Sequence, residues 1–240
     1  MADAVTGNRP SGAPPEPGSA HRRLAPFGLS LILSMGLAAA CAAAADWTVE
    51  FRVGIPLGFP SPMTIRQAGQ PDLKLRARFR SRPFRSPIYY GWRIGRWEGH
   101  RGWEVELVHD KLYLVDGPAE IGAFAISHGF NLLTVNRAWD REGVVVRVGA
   151  GAVVAHPENT VRGKELPGDG GLLGRGYDLS GPTVQAALEK RIRARGDFFL
   201  PVEGKATASF ARVPVADGTA DVPYAALHAL AGVGIGGHPD

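Results

Sequence analysis

From Trp47 onward the chain alternates apolar and polar residues with a period of two. Trp47, Val49, Phe51 and Val53 alternate with Thr48, Glu50 and Arg52, and Trp103, Val105 and Leu107 alternate with Glu104 and Glu106. Tyr90, Trp92 and Ile94 flank Gly91 and Arg93, and five further runs lie at 129–138, 144–155, 178–190, 198–210 and 222–233. Such alternation marks strands with one apolar face, and no comparable segment carries a helical stripe. The connections at 55–87, 98–102, 110–128, 139–143, 156–177, 191–197 and 211–221 run long, short, long, short. Short turns on one side and long loops on the other are the habit of outer-membrane barrels. The expected fold is therefore all-β: an eight-stranded antiparallel outer-membrane β-barrel with long outer loops over residues 46–240, expected to be a monomer. A secreted soluble β-domain is the alternative.

Strand parity assigns faces. Trp103, Val105, Leu107, Val144, Val146, Val148, Val184, Leu188, Phe198, Leu200 and Val202 are expected to face lipid. Glu104, Glu106, Arg147, Thr183, Gln185, Glu189, Glu203 and Lys205 are expected inside. Charges buried in so narrow a space must be paired.

The segment before the strands changes the setting. Residues 1–20 are rich in Gly and Pro and read as a disordered extension. His21, Arg22 and Arg23, the apolar run Leu24–Leu37 and the small residues to Ala45 have the three parts of a secretory signal over 21–45. An uncleaved anchor and lipidation at Cys41 are the alternatives. Cys41 is the only cysteine, so a chain cleaved after Ala45 has neither a disulfide nor a thiolate site.

Formal net charge is +4, and the basic residues cluster. Within the expected outer loop 55–87, Arg66, Lys74, Arg76, Arg78, Arg80, Arg82 and Arg85 face a single acid, Asp72, between 66 and 85. Leu73, Leu75, Ala77 and Phe79 alternate with the cations, as in an extra strand or flap. Lys74, Arg76, Arg78, Arg80, Arg82 and Arg85 are candidates to bind lipid phosphate. Nucleic acid would suit the charge equally, but an exported barrel meets lipid first, and none is expected as a partner.

Residues able to do chemistry gather at the outer strand ends. His109 and Lys111 end one strand, and His128 and Asn131 begin the next. His156 and Glu158 leave a third, and Asp178 enters a fourth. His109, Lys111, His128, Asn131, His156, Glu158 and Asp178 form the candidate catalytic set around one mouth. Within it, His109, His156 and Glu158 are the candidate ligands of a divalent metal ion. No dinucleotide fingerprint is present. Ordinary rim polarity is the plainer account of any one histidine.

Five stretches of this region resemble the outer-membrane lipid A oxidase family of α-proteobacteria and its uncharacterised relatives. They are Glu104–Tyr113 (EVELVHDKLY), Ser127–Asn136 (SHGFNLLTVN), Val148–Glu158 (VGAGAVVAHPE), Tyr177–Gln185 (YDLSGPTVQ) and, more weakly, Val202–Lys205 (VEGK). The resemblance implies an eight-stranded barrel that uses oxygen and a divalent metal to oxidise the proximal glucosamine of lipid A. Its motif positions here would be His109, Lys111, Asn131, His156, Glu158 and Gln185. His128 and Gly129 stand where the oxidases are expected to carry an acidic residue and glycine. The alternatives are a non-catalytic barrel that binds lipopolysaccharide and a lipid A deacylase. For the deacylase, Ser127 and His128 are strand neighbours and are expected to face opposite ways.

Overall fold

The computed structural model describes residues 47–168, 171 and 176–236. The expected extension and signal, with Cys41, lie outside the described residues.

Twelve strands form one sheet: β1 (Trp47–Gly58), β2 (Ser61–Gln67), β3 (Leu73–Arg80), β4 (Tyr90–Glu98), β5 (Arg101–Val115), β6 (Ile121–Arg141), β7 (Val144–Ala155), β8 (Glu158–Val161), β9 (Lys164–Glu165), β10 (Asp178–Arg193), β11 (Phe198–Val215) and β12 (Gly218–Gly236). All ladders are antiparallel. In the lower storey, near the short turns, they run β1–β4–β5–β6–β7–β10–β11–β12, and β12 pairs with β1. In the upper storey they run β12–β2–β3–β5–β6–β8–β9 and stop there. Above Ser209, β11 pairs only with β12 among the described residues. Side-chain bonds cross that gap, from Asn159 Nδ2 to the Pro214 carbonyl at 3.0 Å and from Lys164 Nζ to Asp217 in the β11–β12 turn.

The expected eight-stranded closed barrel is thus corrected: among the described residues there are twelve strands, and their ring is incomplete over its height. The physical reason lies in the segments taken for loops. β2 and β3 form inside the expected basic loop because Met63, Ile65, Ala77 and Phe79 are buried on one side of that hairpin. The expected loops at 110–128 and 211–221 are largely strand extensions, joined by turns at 116–120 and at Ala216–Asp217.

The interior is layered. Below, β1, β4, β5, β7, β10 and β11 point five cations (Arg52, Arg93, Arg147, Arg191, Lys205) and five carboxylates (Glu50, Glu104, Glu106, Glu189, Glu203) at one another. Arg93 donates to Glu50 at 3.0 Å, Glu189 at 2.8 Å, Glu106 at 3.1 Å and Glu203 at 2.6 Å. Arg147 joins Glu104 at 2.9 Å and Glu203, Arg191 joins Glu50 at 2.9 Å, and Lys205 joins Glu106. Asn136 and Gln185 donate to the second oxygen of Glu106. Above, an apolar core closes over this layer, with Phe79, Leu112, Phe124, Ile126, Phe130, Val213 and Tyr224 among its members. Between the layers, Tyr89 Oη, His228 and Thr207 form a hydrogen-bonded chain, each link 2.9 Å.

The outward face is a belt of exposed apolar side chains, including Val53, Ile55, Leu57, Val105, Val135, Val148, Leu188, Leu200 and Val202. On β1 the belt runs from Trp47 to Phe59, and on β11 from Phe198 to Phe210. At roughly 3.4 Å per residue and a tilt of ~40°, each run rises about 30 Å. In the sector of β5 and β6 the belt ends lower, at Leu107 and Leu133, and the outward residues above are His109, Asn131, Ser127 and His128.

Asp110, above the belt and on the inner side, is buried; it accepts from Ser81 Oγ at 2.7 Å and from the Lys111 amide at 2.7 Å. Burial pushes its carboxyl up to about 6, against 3.8 ordinarily, although those hydrogen bonds oppose the rise. The folded state therefore holds the proton more tightly than the unfolded chain. Stability falls as pH rises from about 4 through 6, by up to about 3 kcal/mol from this group. In unfolding midpoints taken across that window, Asp110→Asn should flatten this part of the profile relative to the parent; an unchanged difference at pH 4.5 and 7.5 would contradict it.

Removing one member of the charged layer leaves an unpaired buried charge, at a cost of about 3–5 kcal/mol. Arg93→Met should lose that much stability in urea unfolding from detergent micelles. Arg93→Met with Glu203→Gln should recover part of the loss. Equal losses in the single and double variants would show that charge balance is not what the layer supplies.

Candidate metal and lipid-facing site

The candidate residues converge, but on the outer wall rather than in the mouth of the ring. On β5 and β6 the paired residues His109 and Asn131 share the parity of Leu107 and Leu133, which face outward. At the top of β7, His156 continues the outward row of Val154, and Glu158 follows it. The residues expected around one mouth thus stand on the outside of the wall at that end. The lumen at this height is filled by Phe130, Leu132, Val153 and Ala155.

His128 reaches the site through an irregularity in β6. Between the inward residues Ile126 and Phe130 lie three residues instead of one, and Gly129 takes φ +141°. A Cβ at Gly129 would stand 2.5 Å from Asn131 Nδ2, so a side chain there would displace Asn131. The same irregularity overturns the expectation that Ser127 and His128 face apart: Ser127 Oγ lies 3.2 Å from His128 Nδ1. Glu158 Oε1 contacts that same nitrogen. A nucleophile–base–carboxylate relay needs opposite ring nitrogens, so this trio is not built as one.

His128, His156 and Glu158 each offer a ligand atom, all within 4.8 Å of one another. The two imidazoles lie 4.9 Å apart, and His156 Nε2 is 4.0 Å from Glu158 Oε1. Two nitrogens and a carboxylate oxygen suit a divalent ion with bonds of about 2.0–2.2 Å, so this cluster could coordinate one. Burial alone would raise the Glu158 carboxyl. The Ser127 hydrogen bond and the two histidines outweigh it and hold the group below its ordinary range. Tyr177 packs edge-on against His156 and donates to the His128 carbonyl at 3.2 Å.

Of the residues expected as metal ligands, His156 and Glu158 belong to this group and His109 does not; His128 takes its place. His109 Nδ1 instead meets Asn131 Oδ1 at 2.8 Å, and its ring stacks on Tyr90 at 5.0 Å. Burial, with Lys111 and His128 nearby, lowers its pKa against the raising effect of Asn131, which favours the neutral ring. Lys111 is buried and donates to the Arg85 carbonyl at 2.6 Å. Burial, then Arg85 and Arg82, lower its pKa. Asp178 pairs with Ala155, and its carbonyl accepts from Ser180; it stands outside the ligand group. Gln185 lies inside, among the charged layer.

The basic residues lie higher. Lys74, Arg76, Arg78 and Arg80 share the exposed face of β3, whose other face packs on the core. Arg82 lies over the Tyr113 ring at 4.2 Å, and Arg78 approaches Asp116 at 3.5 Å. β3 pairs with β5 at Tyr113–Val115, a few residues above His109.

Below the histidines the outer wall is indented by a groove of about 890 Å³. Phe51, Tyr90, Trp92, Leu107, Leu133 and Val154 line it, and Ser86–Ile88 and Tyr177 border it near His109 and His128. The sequence reading missed this wall; its signal is the aromatic residues at outward positions of β1 and β4.

No protein-family model and no curated protein matches the chain. Among solved structures it is similar to Ail, the attachment invasion locus protein of Yersinia pestis, at 10% identity. That match covers 79% of this chain and 99% of that one, with TM-score 0.38. It is also similar to Neisserial surface protein A, at 9% identity over 79% and 96% with TM-score 0.36. The outer membrane protein AlkL, solved in lipid bilayers, matches at 11% over 80% and 89%, with TM-score 0.42. Likenesses this distant do not bear on activity, and none of them is to the oxidase family.

Metal titration of the chelator-stripped protein tests the ligand group. His128→Ala and Glu158→Gln should each weaken Mn²⁺ or Zn²⁺ binding tenfold or more, and His109→Ala should leave it unchanged. Loss of binding in His109→Ala alone would restore the set expected from sequence.

Proposed function

We propose that this protein resides in the outer membrane and acts on the head group of lipid A through its outward-facing His128–His156–Glu158 site. The observation that carries the reading is the position of that site: it stands on the lipid side of the wall, at the upper margin of the apolar belt. A lipid head group meets such a site without leaving its leaflet. The exposed cations of β3 stand above it, where phosphates on a sugar head group would lie. The location itself is supported by the belt, whose height suits a bilayer core of about 30 Å.

The reaction that the sequence resemblance implies is oxidation of the proximal glucosamine with oxygen as electron acceptor. A divalent ion held by His128, His156 and Glu158 would supply the redox or Lewis-acid chemistry. The chain's own residues bind and orient. Lys74, Arg76, Arg78 and Arg80 hold phosphate, Tyr177 fixes the backbone of His128, and Glu158 stays anionic beside both imidazoles.

Mass spectrometry of lipid A from cells with and without the gene is the deciding experiment. The expected product has gained one oxygen at the proximal sugar, and His156→Ala should abolish it. Arg76, Arg78 and Arg80 replaced together by Glu should cut product at least tenfold. Lipid A unchanged by the gene would overturn catalysis in favour of a binding role, and loss of an acyl chain would point to hydrolysis.

A further inference from the structure

The groove below the histidines has one polar atom whose chemistry is fixed by its neighbours. Asn131 Nδ2 donates to the Val154 carbonyl at 3.1 Å, which turns Asn131 Oδ1 toward His109. An amide oxygen only accepts, so His109 Nδ1 carries the proton of that 2.8 Å bond. In the neutral ring Nε2 is then a bare acceptor. That Nε2 is buried and has no hydrogen-bond partner, in a residue that is 4% exposed and lines the groove. A buried acceptor left unsatisfied is costly, and the groove that His109 lines is a space from which a donor could be supplied.

We infer that the groove seats one acyl chain of an outer-leaflet lipid, and that His109 Nε2 accepts a hydrogen bond from a donor at the head of that chain. The groove opens on the apolar belt, and its walls from Phe51, Trp92, Leu107 and Leu133 continue that belt upward to His109. The acceptor sorts lipids by linkage. An amide-linked chain offers an N–H, and a chain hydroxylated near its head offers an O–H. A plain ester offers neither. The site therefore selects amide-linked or hydroxylated chains over simple esters. This assignment rests on the lipid-facing reading of the site given above, and it makes His109 a binding residue for the chain head.

Quenching of Trp92 by brominated acyl chains tests it in the chelator-treated full chain, reconstituted in phosphatidylcholine vesicles. The difference between the protein and Trp92→Phe isolates the Trp92 signal. Three brominated lipids of equal chain length are compared: ester-linked, amide-linked, and ester-linked with a hydroxyl near the chain head. At least one donor-bearing lipid should quench at about fivefold lower mole fraction than the plain ester, the worth of one hydrogen bond. Which of them does so identifies the donor. His109→Phe should erase the preference while leaving ester quenching intact, and Val154→Phe, which fills the groove, should weaken quenching by all three. Equal quenching by the three lipids in the unmodified protein, or a preference that survives His109→Phe, overturns the inference. Because metal and turnover are absent from the assay, its failure leaves the lipid A experiment standing, and an unchanged lipid A leaves this binding result standing.

Discussion

The structure depends on the pairing of ten buried charges in the lower half of the ring. Five cations and five carboxylates leave that layer without formal net charge, and Arg93 alone donates to four carboxylates and lies 3.5 Å from the fifth, Glu104. Each ion would cost several kcal/mol to bury singly. Because the partners come from β1, β4, β5, β7, β10 and β11, none of these six strands can slip by one residue without turning its charge toward the belt. The same parity that points Arg52 inward points Phe51 and Val53 outward. One constraint therefore sets the register of the lower ladders and the apolar character of the outer wall.

That constraint also decides where chemistry can occur. The lower interior is filled by paired ions and the upper interior by Phe124, Ile126, Phe130 and Tyr224. The outward face below is apolar. What remains for a polar group that must meet a lipid is the seam where the belt ends in the sector of β5, β6 and β7. His109, Asn131, His128, His156 and Glu158 all stand there. The break in β6 at Gly129 adds His128 to a row that regular alternation would have left with His156 and Glu158 alone.

Much of the lower storey was legible in the sequence. Glu104, Glu106, Arg147, Glu189, Glu203 and Lys205 were assigned inside from parity, and all are buried. Arg52, Arg93, Arg191 and Glu50 obey the same parity and were not assigned, although Arg52 stands between the outward Phe51 and Val53 and Arg93 between Trp92 and Ile94. The upper storey was not legible as strands. Loop length suggested flexible connections, and only the alternation at Leu73–Arg80 hinted otherwise. Pairing there depends on partners far apart in sequence, such as Thr64 with Asp221 and Arg78 with Val115. The choice of metal ligands was half legible. Position at the outer strand ends placed His109, His128 and His156 together, but which two could share an ion depended on a backbone irregularity that parity cannot foresee.

The separation of His109 from the ligand group gives the site two chemistries at different depths. His128, His156 and Glu158 present a partly exposed cluster that could coordinate a cation. His109, one step lower, presents a neutral buried acceptor held by Asn131 and Tyr90. Turning His109 up toward His128, His156 and Glu158 would break its bond to Asn131. Asn131 is in turn tied to the β7 backbone at Val154, two residues before His156. The two halves are thus fixed to one another through main-chain ladders rather than through a shared ligand. On the proposed reading one lipid would meet both halves, its head at His128, His156 and Glu158 and its chain below His109.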